Sequence, residues 1–531
     1  MREEKKHSDT VAHAIPTHRA DDAAEYLEGH AGVADTQDVD ISALRRKIDY
    51  RIIPFMFCCY VLQFLDKVML NVKRRELNAY AAVMGIKKDL GLVGNDFSNT
   101  ATWFFIAYLI AEVPNGLSIY LSIFAFIYPR YSVMEDRVGL GKVYLLQKTP
   151  AAKWLGLNVT LWGVAAAASA GAHDYRSLLV SRIFLGIFEA TIGPSLMLLS
   201  SQFYTRSEQA PRFTFWYLGL GVAQIIGGII SFGFQQVHHS FAGWRIMFLV
   251  LGLVTMLVGV LTMFFIPDTP MKARWLSERE KVALLRHVSV NQTGVWSSQI
   301  DMRQIWEAVG DVQLWLLTLT TICTSVSSGV VTTYSATLIN GFGFTPPHSA
   351  LLNTPSGIVS IFFTLAVGIG IRRISHRWAW FIFCTIPGIT GGALMSFLPK
   401  HNKAGVLIGI YLVNAIVATL PILYQWTMAN CAGHTKRAFS SALVAGSFSV
   451  GNIIGPQTFQ ARDAPEYRPA KIAVLATQAA AGTLAFVLFL YYVWENRRRA
   501  STADEGEEEV IDETKWAGLT DKENRWFRYV Y

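Results

Sequence analysis

The stretch LLVSRIFLGIFEATIGPSLMLLSSQF, residues 178–203, decides the class of this protein. It is long enough to cross a hydrocarbon core of ~30 Å, which takes ~20 residues of α-helix. Two charged residues, Arg182 and Glu189, nevertheless lie inside it, seven residues apart. At ~100° per residue, this spacing places both side chains on nearly the same face of one helix, ~10 Å apart along its axis. The stretch therefore predicts a membrane-spanning helix that carries two charges on one face.

The composition of the whole chain is typical of a protein that crosses the membrane many times. Of its 531 residues, 52% are hydrophobic and only 16% are charged, whereas about a quarter of the residues of a soluble protein are charged. We interpret the net charge of +8 as charge on cytoplasmic loops rather than as a nucleic-acid site. The five cysteines lie in or beside apolar runs without a CxxC pair, which argues against a disulfide framework or a zinc site.

Apolar runs of spanning length predict an all-α membrane protein with twelve transmembrane helices in two six-helix bundles. The runs are 51–71, 98–116, 153–172, 177–203, 213–236, 244–267, 312–339, 349–371, 377–398, 404–431, 438–459 and 470–494. The resulting organisation is a disordered cytoplasmic N-terminus (1–44), a first bundle (45–267), a cytoplasmic loop (268–311), a second bundle (312–494) and a cytoplasmic tail (495–531).

The distribution of lysine and arginine predicts that both termini face the cytoplasm. With the N-terminus inside, the basic segments 45–47, 206–212, 272–281, 372–377, 436–437 and 497–499 all face the cytoplasm. Two stretches depart from this pattern: 72–79 places three positive charges outside, and 117–143 contains an apolar part too short to span. We interpret both as insertions, and our hypothesis is that they are intron sequence translated from a faulty gene model. Sequencing the spliced transcript tests this, and finding both segments encoded would contradict it.

Four ionisable residues lie deep in predicted spans: Asp66 and Lys67 in the first, and Arg182 and Glu189 in the fourth. Such residues usually face a partner or a cavity, because charge in the bilayer is costly. One interpretation is a set of structural ion pairs, and another is that Lys67 and Arg182 extend to the outer interface. The functional interpretation is a proton site beside an anion site. Burial favours the protonated form of a carboxylate, and arginine binds carboxylates through paired hydrogen bonds.

The chain lacks the sequence features of an ATP-driven pump. No GxxxxGK[ST] phosphate loop occurs, and no segment reads as a nucleotide-binding domain. No segment resembles a selectivity filter, which makes a channel the weaker alternative. No nucleophile–base pair or metal cluster appears at membrane depth, so we expect neither an enzyme nor a metal or cofactor. These features favour a secondary carrier.

Several stretches resemble the anion:cation symporter group of the major facilitator superfamily, and especially its fungal allantoate permease branch. They include RRKIDYRIIPFMFCCYVLQFLDKVMLN (45–71), RIFLGIFEATIGPSLMLLSSQFYTRSEQAPRFTFW (182–216) and TDKENRWFRYVY (520–531). The resemblance implies alternating access of two bundles around a central site. It also implies proton-linked import of a small organic anion, such as an allantoate-like ureide, a vitamin or a related carboxylate.

The resemblance further implies roles for the four buried charges. Glu189 is expected to be the main proton-coupling carboxylate, with Asp66 as a second titrating group. Arg182 is expected either to hold the anion or to be the charge partner of Glu189. Lys67 is expected to help bind substrate, although it stands where some relatives have arginine. Lysine lacks the planar fork of arginine, so bidentate binding at this position is an open question.

Three polar residues of the second half are further candidates for hydrogen bonds to substrate: Tyr334, Gln425 and Asn452. For each of them, packing between helices is an equally good explanation. The complete prediction is a monomeric, multi-pass carrier of a fungal plasma membrane, whose partners are a small organic anion, protons and the lipid bilayer. Two rival functions stay open: an exporter of a small metabolite, and a nutrient receptor with a transporter's fold.

Overall fold

The structure, a computed structural model, consists of helices wherever it describes an element. It describes residues 26, 39–69, 86–93, 95–116, 151–235, 242–289, 301–341, 344, 346–399, 402–463, 467–501, 520–524 and 526–531. The two suspected insertions and most of the N-terminal segment 1–44 lie outside the described residues.

Six helical spans make up the first unit of the described chain, and each of the first six apolar runs coincides with one of them. They are Ile41–Met69, Asp96–Gly116, Ala151–Ser169, Tyr175–Glu189 with Ile192–Phe203, Arg206–Tyr217 with Gly219–Gln235, and Gly243–Phe265. We refer to them as the first to sixth spans. Shorter helices are Ile86–Asp89 before the second span, and Pro270–Lys272 and Glu278–Ser289 after the sixth.

The second unit repeats this organisation with the seventh to twelfth spans. They are Val312–Gly341, Pro346–Leu352 with Thr354–Arg373, Arg377–Phe397, Lys403–Val413 with Asn414–Ala418 and Thr419–Asn430, His434–Gln457, and Arg468–Ala500. The short helices Met302–Val309 and Ala461–Asp463 precede the seventh and twelfth spans.

Nine helices of the described residues are long and apolar enough to cross a membrane by themselves. The seventh span makes a tenth when it is joined to Met302–Val309, from which it is bent by 64°. The second and third spans are also helical but fall outside this set. In the third span, one residue that lowers the mean hydropathy is Asn158. It is buried, and its amide donates a hydrogen bond of 2.8 Å to the carbonyl of Trp154. Polar groups of this kind lower the mean hydropathy of a helix whose buried face packs against protein.

One-residue breaks divide the fifth and eighth spans, and longer interruptions divide the fourth and tenth spans at mid-length. The sequence alone predicts continuous helices in the fourth and tenth spans. One helix ends at Glu189 and the next begins at Ile192, while the tenth span changes to a 3₁₀-helix over Asn414–Ala418. A proline follows each of these two interruptions. Because proline has no backbone N–H, it cannot donate the helical hydrogen bond to the carbonyl four residues earlier. Pro194 thus leaves the Ala190 carbonyl without a helical donor, and Pro421 does the same for Val417. The two interruptions occupy equivalent positions in the two units.

The two units contact each other most extensively through two pairs of spans. Between the fifth and eighth spans, Gly221 and Gly357 approach so closely that a Cβ on Gly357 would lie 2.4 Å from the Gly221 carbonyl oxygen. Between the second and eleventh spans, Gln457 donates to the Thr102 hydroxyl at 2.6 Å. These contacts must be remade if the units move against each other.

Charged residues link the elements of the first unit near the beginning of the first span. Arg212 donates two hydrogen bonds of 2.7 Å to Asp49, and Arg45 donates to Glu208 at 2.8 Å. Glu208 precedes Pro211–Phe234, the part of the fifth span that is long and apolar enough to cross a membrane. Although burial raises the pKa of Glu208, hydrogen bonds from the Thr205 backbone and from His287 lower that pKa below its ordinary value. The network connects the first and fifth spans to the helix Glu278–Ser289.

The end of the chain packs onto the second unit through a buried lysine. Lys436 has no exposed side-chain surface, and its ammonium lies 2.8 Å from carboxylate oxygens of Glu307, Asp311 and Asp521. Further along, the Val530 carbonyl accepts hydrogen bonds of 2.8 Å from side chains of the tenth span. The described part of the predicted cytoplasmic tail is therefore a folded component of the second unit.

Candidate transport site

The structure brings the four charged residues from the first and fourth spans into one buried region. Only 2% of the surface of Asp66 is exposed, 3% of Arg182 and none of Glu189, and the side chain of Lys67 is 10% exposed. Glu189 is the last residue before the interruption of the fourth span. The charged side chains therefore lie beside a helix break inside the first unit.

Lys67 is the cation in contact with Glu189. Its ammonium lies 2.7 Å from Glu189 Oε1, across the boundary between the first and fourth spans. The same ammonium lies over four aromatic rings, at 4.8 Å from the centroid of Phe64, 5.3 Å from Tyr108, and 5.8 Å from both Phe104 and Phe105. Ring faces attract cations, so this cage holds Lys67 in addition to the carboxylate. The roles predicted for Lys67 and Glu189 stay predictions, now with a defined contact between them.

Arg182 has unsatisfied hydrogen-bond donors. Its guanidinium carbon lies 5.0 Å from the ring centroid of Phe248. Its Nε and Nη2 atoms are buried and have no hydrogen-bond partner among the residues that the structure describes. Buried donors without partners are rare because each costs about 1–3 kcal/mol, and more when it is charged. The nearby Glu189 is paired with Lys67, and both roles predicted for Arg182 stay predictions.

Asp66 accepts a hydrogen bond from an aromatic residue that the sequence does not single out. The indole Nε1 of Trp162, in the third span, donates to Asp66 Oδ2 at 2.6 Å. Trp162 has no exposed surface. In the sequence it is one more apolar residue of an apolar run, and nothing marks it as a hydrogen-bond donor to a charge.

The candidates of the second half are less informative. Gln425 is half-buried in the tenth span, and the side chain of Tyr334 lies outside the described part of the structure. Asn452 is buried and donates to the Phe448 carbonyl of its own helix at 2.8 Å. A Cβ on Gly329 would lie 3.1 Å from the Asn452 Oδ1 atom, which shows how closely the seventh and eleventh spans pack there. Asn452 thus has the contacts of a packing residue, and its proposed substrate role stays a prediction.

A polar cluster that sequence reasoning missed joins the two units beside the interruption of the tenth span. Gln224 donates to Asn414 at 3.0 Å and accepts from Ser360 at 3.1 Å. All three side chains are buried, and they come from the fifth, tenth and eighth spans. The signal available in the sequence was an amide residue at the centre of an apolar run, at both Gln224 and Asn414.

Comparison with known proteins agrees with this architecture. The model of the Major Facilitator Superfamily matches residues 140–456, more than half of the chain. The chain is similar to the solved structure of the xylose transporter XylE from E. coli, with a TM-score of 0.55 at 13% sequence identity, over 83% of this chain and 99% of that one. At this identity the likeness concerns the fold alone.

Two curated proteins of Saccharomyces cerevisiae are similar along nearly the whole chain. The "Thiamine pathway transporter" is 37% identical over 92% of this chain and 86% of its own length. The "Allantoate permease" is 30% identical over 96% of this chain and 90% of its own length. The predicted fold class, transmembrane transport and the absence of an enzymatic role agree with these relatives. The chain is a multi-pass membrane transporter that belongs to the major facilitator superfamily, in its fungal allantoate permease-like branch.

Proposed function

We propose that this transporter imports a small organic anion together with protons, by alternating access of its two units. The observation that carries the proposal is the buried guanidinium of Arg182, whose Nε and Nη2 donors have no partner among the described residues. A carboxylate ligand would satisfy both donors through paired, charge-assisted hydrogen bonds. The anion is the ligand class that relieves the cost of this arrangement.

Proton coupling follows from the charges around Arg182. The four buried side chains comprise two cations, Lys67 and Arg182, and two carboxylates, Asp66 and Glu189, so their charges balance when all are ionised. Protonation of one carboxylate leaves one positive charge in excess, and a bound monoanion restores the balance. Because unbalanced charge is costly inside the membrane, the anion and the proton favour each other's binding. We assign Glu189 as the main coupling carboxylate, because its proton would also release Lys67.

The interruptions of the fourth and tenth spans support alternating access. In many secondary transporters, interrupted helices at equivalent positions of the two repeats lie beside the substrate site. Here the fourth span is interrupted just after Glu189 and the tenth over Asn414–Ala418. The contact between Gln224 and Asn414 would open and close as the units rock. We place the protein as a monomer in the plasma membrane, with both termini in the cytoplasm.

Uptake of labelled compounds into uptake-deficient yeast, at pH 5 and pH 7, tests the proposal. The panel comprises allantoate, nicotinate, pantothenate and biotin, with thiamine added because one similar protein is a thiamine pathway transporter. We expect acid-stimulated, protonophore-sensitive uptake of one acid, which Glu189→Gln abolishes and Arg182→Lys strongly reduces. Lys47→Met, which changes an exposed ion pair, serves as the control that keeps uptake. All variants are compared at equal surface abundance.

Other outcomes contradict the proposal and select a rival. Uptake of thiamine without any acid would refute the anion assignment. Uptake that is independent of pH and protonophore would refute proton coupling. No uptake by surface-expressed protein, together with loss of a secreted metabolite in the deletion strain, would indicate an exporter. A ligand-dependent cellular signal without flux would indicate a receptor.

A further inference from the structure

Trp162 is a buried hydrogen-bond donor to one of the charged groups of the site. Its Nε1 lies 2.6 Å from Asp66 Oδ2, and neither residue has more than 2% of its surface exposed. An indole N–H can only donate, and a donor at this distance stabilises the ionised carboxylate more than the neutral acid. The contact also fixes the orientation of the Asp66 carboxyl group, because the indole is held in a close-packed helix pair, the third and sixth spans.

Among the residues that the structure describes, the other charged groups that act most strongly on Asp66 can be named. They are Lys67 on its own helix, and Arg182 and Glu189 on the fourth span. The third span carries Trp162, and its one charged residue is Lys153. Lys153 lies in the first turn of this span and pairs with Asp268. The sixth span has only Arg245, which donates to the Ala170 carbonyl. The interaction of the third span with Asp66 is therefore the hydrogen bond from the neutral indole of Trp162.

We propose that Trp162 is a positioning residue of the transport site, which orients Asp66 and sets the proton concentration at which this carboxylate is protonated during transport. The proposal rests on the proposed proton coupling and extends it to a residue outside the charged set. Loss of the indole N–H removes stabilisation from the ionised carboxylate. Asp66 would then bind its proton at a higher pH, and release it less readily.

The test is the pH profile of uptake for Trp162→Phe, with Trp154→Phe as the matched control. Both tryptophans lie on the third span, and the Trp154 Nε1 atom has no hydrogen-bond partner among the described residues. We expect Trp162→Phe to shift the alkaline limb of the profile upward by about one pH unit, that is, to a roughly tenfold lower proton concentration. Trp154→Phe should leave the midpoint unchanged. Equal shifts in both variants, or none in either, would overturn the proposal.

A second variant separates positioning from mere packing. In an Asp66→Asn background, Trp162→Phe should cause no further shift of the midpoint, because the titrating partner is gone. An additional shift of similar size in that background would show that the indole acts through another group. A wild type without acid-stimulated uptake contradicts the proposed function itself, and this is seen before any variant is compared.

A measurement on the unmodified tryptophan remains decisive if Trp162→Phe does not reach the membrane. In detergent-solubilised wild-type protein labelled with ¹⁵N-tryptophan, one indole N–H resonance should titrate with pH. The same resonance should lose its pH dependence in Asp66→Asn. If the pH dependence of every indole resonance is the same in the two proteins, the proposal is wrong.

Discussion

Replacing Lys67 by methionine is the most direct test of whether the charged site is dry. Methionine keeps an unbranched chain of similar length but removes the ammonium that lies 2.7 Å from Glu189. Glu189, with no exposed surface, would then carry an uncompensated charge or stay protonated. The reciprocal variant, Glu189→Gln, leaves the ammonium without its carboxylate but inside its cage of four aromatic rings.

The magnitudes follow from the distance and the burial. At 2.7 Å and an effective dielectric constant of about 20, the attraction is about 6 kcal/mol, part of which offsets the cost of desolvating both ions. Removing one partner of a buried pair costs about 3–5 kcal/mol. In Glu189→Gln, the cation–π contacts still stabilise the Lys67 ammonium by up to about 2 kcal/mol. This variant should therefore be less destabilised than Lys67→Met. Combining both changes removes the unpaired charge, so the double variant should be more stable than Lys67→Met alone.

The assay is thermal unfolding of the purified proteins in one detergent. Lys47→Met is the matched control, because Lys47 makes a pair of nearly equal length, 2.8 Å to Glu280, with 41% of its side chain exposed. Exposed pairs contribute about 1 kcal/mol or less, so the control should melt almost like the wild type. If Lys67→Met melts like this control, or if the two single effects simply add in the double variant, the site is hydrated and our reasoning is wrong.

Three further predictions concern one contact between the units and two contacts within them, and all are measured by thermal unfolding. Gly357→Ala should lower the melting temperature and reduce the free energy of unfolding by about 1–3 kcal/mol, because its Cβ would lie 2.4 Å from the Gly221 carbonyl oxygen. The control Gly446→Ala should be nearly neutral, because its Cβ would lie 3.5 Å from the nearest atom. Equal effects would refute the close contact. Lys436→Met should cost about 3–5 kcal/mol, because it removes the buried cation that contacts three carboxylates and leaves Asp311 with only the partly exposed Lys522, at 3.3 Å, among the described cations. A wild-type melting temperature would show that these carboxylates are protonated or hydrated. Glu208 has a lowered pKa, so the stabilisation that its ionised form gives the fold is present above the ordinary pKa of about 4.3 and is lost as the pH falls through the lower, folded-state pKa. Glu208→Gln should therefore lower the melting temperature at pH 7, and the difference from the wild type should shrink as the pH falls below about 4.3.

The class of the fold and the identity of the charged residues could be predicted from the sequence, because the bilayer imposes a local rule. Each span needs ~20 mainly apolar residues, and any charge within it needs a reason. These rules apply to a segment without knowledge of its neighbours. They led to the helical runs and to Asp66, Lys67, Arg182 and Glu189, all of which the structure places in one buried region.

The interruptions of the fourth and tenth spans were only partly visible in the sequence. Pro194 and Pro421 stand beside them, but Pro54 and Pro387 lie inside helices that continue without a break. Membrane helices tolerate proline where neighbouring groups satisfy the freed carbonyl. Whether a given proline interrupts its span is therefore decided by the helices packed around it.

The pairing of the charges was decided by tertiary structure alone. Two side chains seven residues apart on a helix share a face but are ~10 Å apart, too far for direct contact. Glu189 pairs instead with Lys67 from the neighbouring first span, and the Nε and Nη2 donors of Arg182 have no partner among the described residues. The indole of Trp162, in the third span, contacts Asp66, in the first span, only because the helices of the first unit pack side by side. The amino-acid sequence thus specifies which residues are charged inside the membrane. The packing of the helices specifies which of these residues touch, because contact depends on distances between helices, and residue spacing within one helix does not give those distances.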